Sequence, residues 1–187
     1  MKGASVKGSA IIPGYSYIEK HYGKEGLDKI MERMDPKDGE PLKEKLLAGK
    51  WYPYTSFVGL LRATDDLYGK GNNEFIMDLA ILSAKEGLST FYKFFVKVGK
   101  PKATIKRTQK IWDSYFNFGK FEIVENEDGH AIFKIHDLPD KRKEFCMAMT
   151  GWTKGAMELA GGSNVQVREN RCACLGDKYC EYDVIWE

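Results

Sequence analysis

Between residues 15 and 116 the apolar positions recur at helical spacing, and beyond them short alternating runs take over. The chain opens on Lys7 to Ile12, short and apolar enough for a strand or an extended lead-in. Tyr15 to Met34 then reads as helical pieces with a stripe of Ile18, Tyr22, Leu27, Ile30, Met31 and Met34, interrupted by Gly23 and Gly26. Pro36, Gly39 and Pro41 punctuate a break, and Leu42 to Ala48 is predicted as a short helix ending at Gly49. The aromatic junction Trp51-Tyr52-Pro53-Tyr54 precedes a helix from Thr55 to Tyr68, in which Phe57, Leu60, Leu61, Thr64 and Leu67 share one face. A longer helix from Asn73 to Val98 carries Phe75, Leu79, Leu82, Phe91, Phe94, Phe95 and Val98, with Gly87 as a candidate kink. Lys102 to Phe116 forms the next helix and stops at Asn117-Phe118-Gly119.

Two strands follow, Lys120 to Glu125 and Ala131 to His136, joined by the turn Asn126-Glu127-Asp128-Gly129. A helix from Lys143 to Ala160 presents Phe145, Met149, Trp152, Ala156 and Leu159, and Gly161-Gly162 ends it. A last hairpin pairs Asn164 to Cys174 with Tyr179 to Trp186. The expected fold class is therefore α/β in the α+β sense, a helical N-terminal part packed on an antiparallel sheet made of two hairpins.

Composition narrows what such a fold does. The 187 residues, 43% hydrophobic and 13% aromatic, bury one good core, so residues 1–187 are expected to form a single domain, with 1–50 as an N-terminal helical segment. Lys and Arg number 29 against 27 Asp and Glu, and the net charge of +2 makes no case for nucleic acid as a partner. The basic run Lys97, Lys100, Lys102, Lys106, Arg107 and Lys110 reads as a solvated face. No apolar run reaches the ~20 residues of a membrane span, and the N-terminus lacks the features of a signal peptide. A cytoplasmic protein is expected, and there thiols stay reduced and favour metal over disulfides.

The four cysteines are unevenly placed. Cys146 stands alone on a helix, while Cys172, Cys174 and Cys180 crowd into nine residues beside Glu169 and the Gly176-Asp177 turn. A hairpin tip would gather Glu169, Cys172 and Cys180, and a helix docked across it would add Cys146, giving thiolate and carboxylate donors suited to tetrahedral zinc. Residues 143–187 thus read as a zinc-binding helix and hairpin. Strict strand alternation separates Glu169 from Cys172, so the site requires a bulge near Asn170-Arg171. Cys174 is a substitute for Cys172. Arg168, Arg171 and Lys178 stand close enough in sequence to offset the site's negative charge or simply to be solvated.

Other candidates are less specific. Trp112, Tyr115, Phe116 and Phe118 cluster at one helix end and, with Phe91, Phe95 and Trp152, make either a small apolar cavity or ordinary core. His21, His130 and His136 are scattered, and His130 beside its turn is expected to face solvent. Asp65-Asp66 point about 100° apart on a helix and read as surface acidity. Gly69-Lys70-Gly71 lacks the strand and the Lys-Ser/Thr ending of a phosphate loop.

The pattern Cys146-x22-Glu169-x2-Cys172-x7-Cys180, with Gly151 after the first cysteine and Gly176-Asp177 in the last loop, resembles the 4-vinyl reductase domain family. The order of helices and hairpins resembles the architecture which that family shares with heme nitric-oxide-binding domains and TRAPP vesicle-transport subunits. Val6 to Ala10, Trp51-Tyr52-Pro53 and Tyr115 to Gly119 are also similar to a group of myxobacterial paralogues of unknown function. The resemblance implies a structural zinc held by Cys146, Glu169, Cys172 and Cys180 and a nearby pocket for a small hydrophobic or aromatic molecule, as in aromatic-sensing regulators. Those regulators hold a phenol hydroxyl with a His and a Trp, for which His136 and Trp112 are the stand-ins here. They continue into ATPase and DNA-binding domains, so output from this chain is expected through a signalling partner, with the chain itself a homodimer. The Tyr-x-Ser-x-Arg heme motif is absent from the sequence. The expected function is a sensory or adaptor domain rather than an enzyme; a vinyl-tetrapyrrole reductase and a transport-particle-like scaffold are the alternatives.

Overall fold

The computed structural model describes residues 3–90 and 100–187. Phe91, Phe94, Phe95, Lys97 and Val98 lie outside the described residues. Strand β1 (Ser5–Lys7) pairs antiparallel with β2 (Trp51–Pro53) and leads straight into helix α1 (Gly8–Arg33). Gly8 to Ile12 is therefore helical, and only the residues before it are extended. The backbone explains why: the N–H groups of Gly8 and Ser9, orphaned at a helix start, donate to Lys50 O and Ala48 O at 2.9 and 3.0 Å. Gly23, at φ 67°, divides α1 into two helical pieces.

The same bonds remove the helix expected over Leu42 to Ala48. After the short α2 (Pro36–Gly39), only a 3-10 turn at Glu40–Leu42 forms. The carbonyls of Ala48 and Lys50 serve α1, and the Leu47 N–H donates to Tyr52 Oη at 2.9 Å, so these groups cap their neighbours instead of continuing a helix.

Helices α3 (Tyr54–Tyr68), α4 (Glu74–Thr90) and α5 (Pro101–Tyr115) complete the helical part. Asp65 proves to be buried at 2% exposure, where it accepts the Asn73 N–H at 2.9 Å and ties α3 to the start of α4, while Asp66 pairs with Arg33 at the surface. Gly87 does not break α4. A Cβ there would lie 3.2 Å from Pro13 and 3.4 Å from Tyr115 Oη, so its smallness lets α1 and α5 close on α4.

The sheet consists of β3 (Lys120–Glu127), β4 (His130–His136), β5 (Gln166–Arg171) and β6 (Cys180–Ile185) in the order β3-β4-β6-β5, antiparallel throughout. It is the expected pair of hairpins, joined through α6 (Lys143–Leu159). Alternation puts Phe121, Phe133, Ile135, Cys180, Tyr182 and Val184 on the buried face, where Phe121, Phe133 and Tyr182 stack successively at 4.7 and 5.0 Å. The outer face is a lattice of ion pairs. His130 lies between Glu125 at 2.8 Å and Asp183 at 2.9 Å, bridging three strands instead of standing free in solvent, and its hydrogen bond to Glu125 leads the causes that raise its pKa.

Helix α6 crosses α4 with almost no side chains between them. A Cβ on Gly151 would sit 2.1 Å from Met77 O and one on Gly155 2.4 Å from Ile81 O, with Ala80 and Ala84 facing them. This crossing fixes α6, and α6 carries the site. No described helix is long and apolar enough to cross a membrane.

Candidate metal centre and adjoining cavity

Three elements meet at the cysteines. Helix α6 supplies Cys146, the start of β6 supplies Cys180, and the end of β5 with its following turn supplies Glu169 and Cys172. Between Glu169 and Arg171 the register slips by one residue: Glu169 pairs with Tyr182 and Arg171 with Glu181, leaving Asn170 unpaired. That bulge lets Glu169 and Cys172 reach the same side. The donor atoms of Cys146, Glu169, Cys172 and Cys180 all lie within 4.8 Å of one another.

Cys146 Sγ is 3.6 Å from Cys172 Sγ and 3.7 Å from Cys180 Sγ. With Zn–S bonds of about 2.3 Å, a regular tetrahedron has an edge of about 3.8 Å, so the sulfurs already stand near coordination spacing. Cys174 is outside the closed set, although its Sγ approaches Cys146 Sγ to 3.5 Å. Cys146 and Cys180 are fully buried, Cys172 is 5% exposed, and Cys174 is half-buried.

Burial and mutual hydrogen bonding shift the cysteine thiols in opposite directions. A hydrogen bond to Cys180 and then burial hold the Cys146 thiol far above the ordinary thiol range, and burial pushes Cys172 up to about 12. Cys180 is shifted down, by its hydrogen bond with Cys146 and by the Ala173 N–H, which donates to it at 3.3 Å.

Supporting contacts come partly from residues that the sequence does not single out. The buried Tyr182 hydroxyl donates to Glu169 Oε1 at 3.2 Å, and the Cys172 N–H donates to Asp177 Oδ2 at 2.9 Å. Alternation already places Tyr182 on the face of Cys180, so this partner is readable once β6 is assigned. The three nearby cations do not serve the cluster directly. Arg171 pairs with Asp177 at 3.7 Å, and the side chains of Arg168 and Lys178 form no hydrogen bond or ion pair among the described residues.

The other face of α6 borders an apolar cavity of about 60 Å³, enclosed by α1, α3, α4, α5 and α6. Trp112, Tyr115, Phe116 and Trp152 line it, together with Phe145, the residue beside Cys146. Phe118 and His136 do not. Phe118 packs edge-on against Tyr54 at 4.9 Å, and alternation turns His136 to the outer sheet face, where it meets Glu122 at 2.7 Å. The Trp112 indole N–H is already committed to Phe118 O at 3.1 Å. His136 and Trp112 therefore do not form a hydroxyl-binding pair. Among the described residues no Asp, Glu, Lys, Arg, His or Cys lines the cavity, and its Ser83 and Thr108 hydroxyls donate to backbone carbonyls one turn earlier.

Neither a protein-family model nor a curated protein matches the chain. Its fold, in contrast, has clear counterparts among solved structures. An H-NOX protein from S. oneidensis in the Fe(II)NO state matches with a TM-score of 0.76 over 97% of this chain and 99% of that one, at 12% identity. An unliganded Fe(II) H-NOX protein from K. algicida matches with 0.65 over 97% and 96%, at 13% identity. An oxygen-binding H-NOX domain related to soluble guanylate cyclases, in its oxygen complex, matches with 0.68 over 97% and 95%, at 11% identity. The chain has an H-NOX-like α+β fold.

Proposed function

We propose that this chain is a small-molecule-binding sensory domain in which a structural zinc ion locks the terminal hairpin to α6 and the apolar cavity on the other face of that helix receives the ligand. The observation carrying this reading is the division of α6 into two faces: Cys146 enters the thiol cluster, while Phe145, Ala148, Met149 and Trp152 line the cavity. The donor set fits zinc in type, spacing and number, and its match to the 4-vinyl reductase pattern supports the same assignment. Four protein donors leave no open coordination position, so the ion's part is to hold the fold.

Heme, to which the H-NOX likeness points, does not fit these residues. His21 lies on α1, with Nδ1 2.9 Å from Tyr17 O, and His130 and His136 lie on the outer sheet face, so none borders the cavity. Among the described residues the cavity is lined by no His or Cys to ligate heme iron and by no positively charged side chain to meet propionates. An uncharged, largely apolar ligand suits the walls instead.

Apolar cavities of about 150 Å³ accept benzene. This one must widen to do so, and the unbranched Met149 is suited to yielding. Isothermal titration and thermal unfolding with toluene and with benzoate test the proposal. Toluene is expected to bind and to raise the melting temperature, whereas benzoate, whose charge has no partner inside, is expected to do neither. Absence of toluene binding, or equal binding of benzoate, would refute it.

A further inference from the structure

Cys174 has no counterpart in the four-donor pattern, yet its Sγ lies closer to Cys146 Sγ, at 3.5 Å, than either Cys172 or Cys180 does. We infer that the cluster is a five-donor site with two interchangeable donor sets: Cys146, Cys172 and Cys180 with Glu169 for zinc, and the same three thiolates with Cys174 for a soft, thiophilic cation such as cadmium(II) or copper(I). The inference rests on the cluster being a metal centre, as proposed above.

Three observations point to Glu169 and Cys174 as the exchanging pair. The shared cysteines are fixed, since Cys146 and Cys180 are fully buried and Cys172 nearly so. Glu169 is half-buried beside a bulge and accepts a long hydrogen bond from Tyr182 at 3.2 Å. Cys174 occupies the 3-10 turn Ala173–Leu175 at the hairpin tip, which Leu175 leaves 79% exposed and Gly176 closes at φ 105°. Cys174 stands outside the closed set, so the exchange needs a swing of Cys174 and the exposed Leu175 about the buried Ala173, whose N–H stays on Cys180 Sγ. A carboxylate and a thiolate carry the same charge, so the charge of the coordinated set is unchanged, and the proton that Cys174 gives up on binding the cation passes to the released Glu169 carboxylate or to solvent. The softness of the cation then decides: thiolate is the better donor for a soft ion, while zinc takes either.

Metal-free protein titrated with cadmium chloride tests this, read by thiolate-to-cadmium charge-transfer absorption and cadmium NMR, with circular dichroism confirming that each loaded protein is folded. The unaltered protein and Glu169→Gln are expected to give the same four-thiolate signature. Cys174→Ser and Cys174→Ala are expected to give a three-thiolate signature with about a quarter less absorption, and a preference for cadmium over zinc lowered by about tenfold. Full absorption and an unchanged cadmium resonance in both Cys174 variants would overturn the exchange while leaving the metal centre standing. Failure of the unaltered protein to bind cadmium or zinc at all would overturn both.

Discussion

Serine at position 180 is expected to destabilise the zinc-loaded protein by more than about 3 kcal/mol, and serine at position 174 by less than about 1 kcal/mol. Cys180 Sγ is fully buried, lies 3.7 Å from Cys146 Sγ, takes a hydrogen bond from the Ala173 N–H, and belongs to a strand paired on both sides, with β4 and with β5. A serine hydroxyl is a poor zinc donor at neutral pH. Its introduction would leave the remaining buried donors to face one another with the cation weakly held, and at a structural site the lost binding energy is lost folding energy. Cys174 is half-buried on a hairpin tip and outside the closed donor set. Urea unfolding of both variants with zinc present decides the matter; equal losses would remove Cys180 from the centre or put Cys174 in it.

Gly151→Ala is expected to cost about 3 kcal/mol, although alanine is the better helix former by about 1 kcal/mol. The added carbon would meet Met77 O at 2.1 Å and Met77 C at 2.9 Å, and these are backbone atoms of α4 that no rotamer change moves aside. The two helices would have to separate, opening the packing around Ala80 and the cavity wall that Ala148 and Trp152 share with α4 residues. Gly49→Ala, with nothing within 4 Å of the new carbon, serves as the control and is expected to stay within about 0.5 kcal/mol of the parent in chemical denaturation. A small effect at position 151 would mean that α4 and α6 are not held at this distance.

What the sequence makes legible follows from where the information is local. The periodicities of α3, α5 and α6 are local, and so is the Asp128-Gly129 turn between β3 and β4; these elements appear within a residue or two of their expected ends. The bulge at Asn170 is also legible, because alternation and the donor spacing conflict without it. What is not legible depends on distant partners. Leu42 to Ala48 looks helical until the carbonyls of Ala48 and Lys50 are seen to cap α1, some 40 positions earlier in the chain. Gly87 and Gly151 look alike as glycines within helices, and only the packed neighbours show that both mark close approaches. His136 and Phe118 belong to the right stretch of chain, but the strand face turns His136 to the outer side of the sheet, and the turn after α5 sets Phe118 behind Phe116 and Phe145 in the cavity wall.

Elemental analysis of protein purified without added metal, paired with unfolding before and after chelation, tests the metal centre most directly. About one zinc per chain is expected, with a marked fall in melting temperature once the ion is stripped. Protein that carries no metal and is nonetheless fully folded, with a melting temperature indifferent to chelator and to zinc, would contradict it.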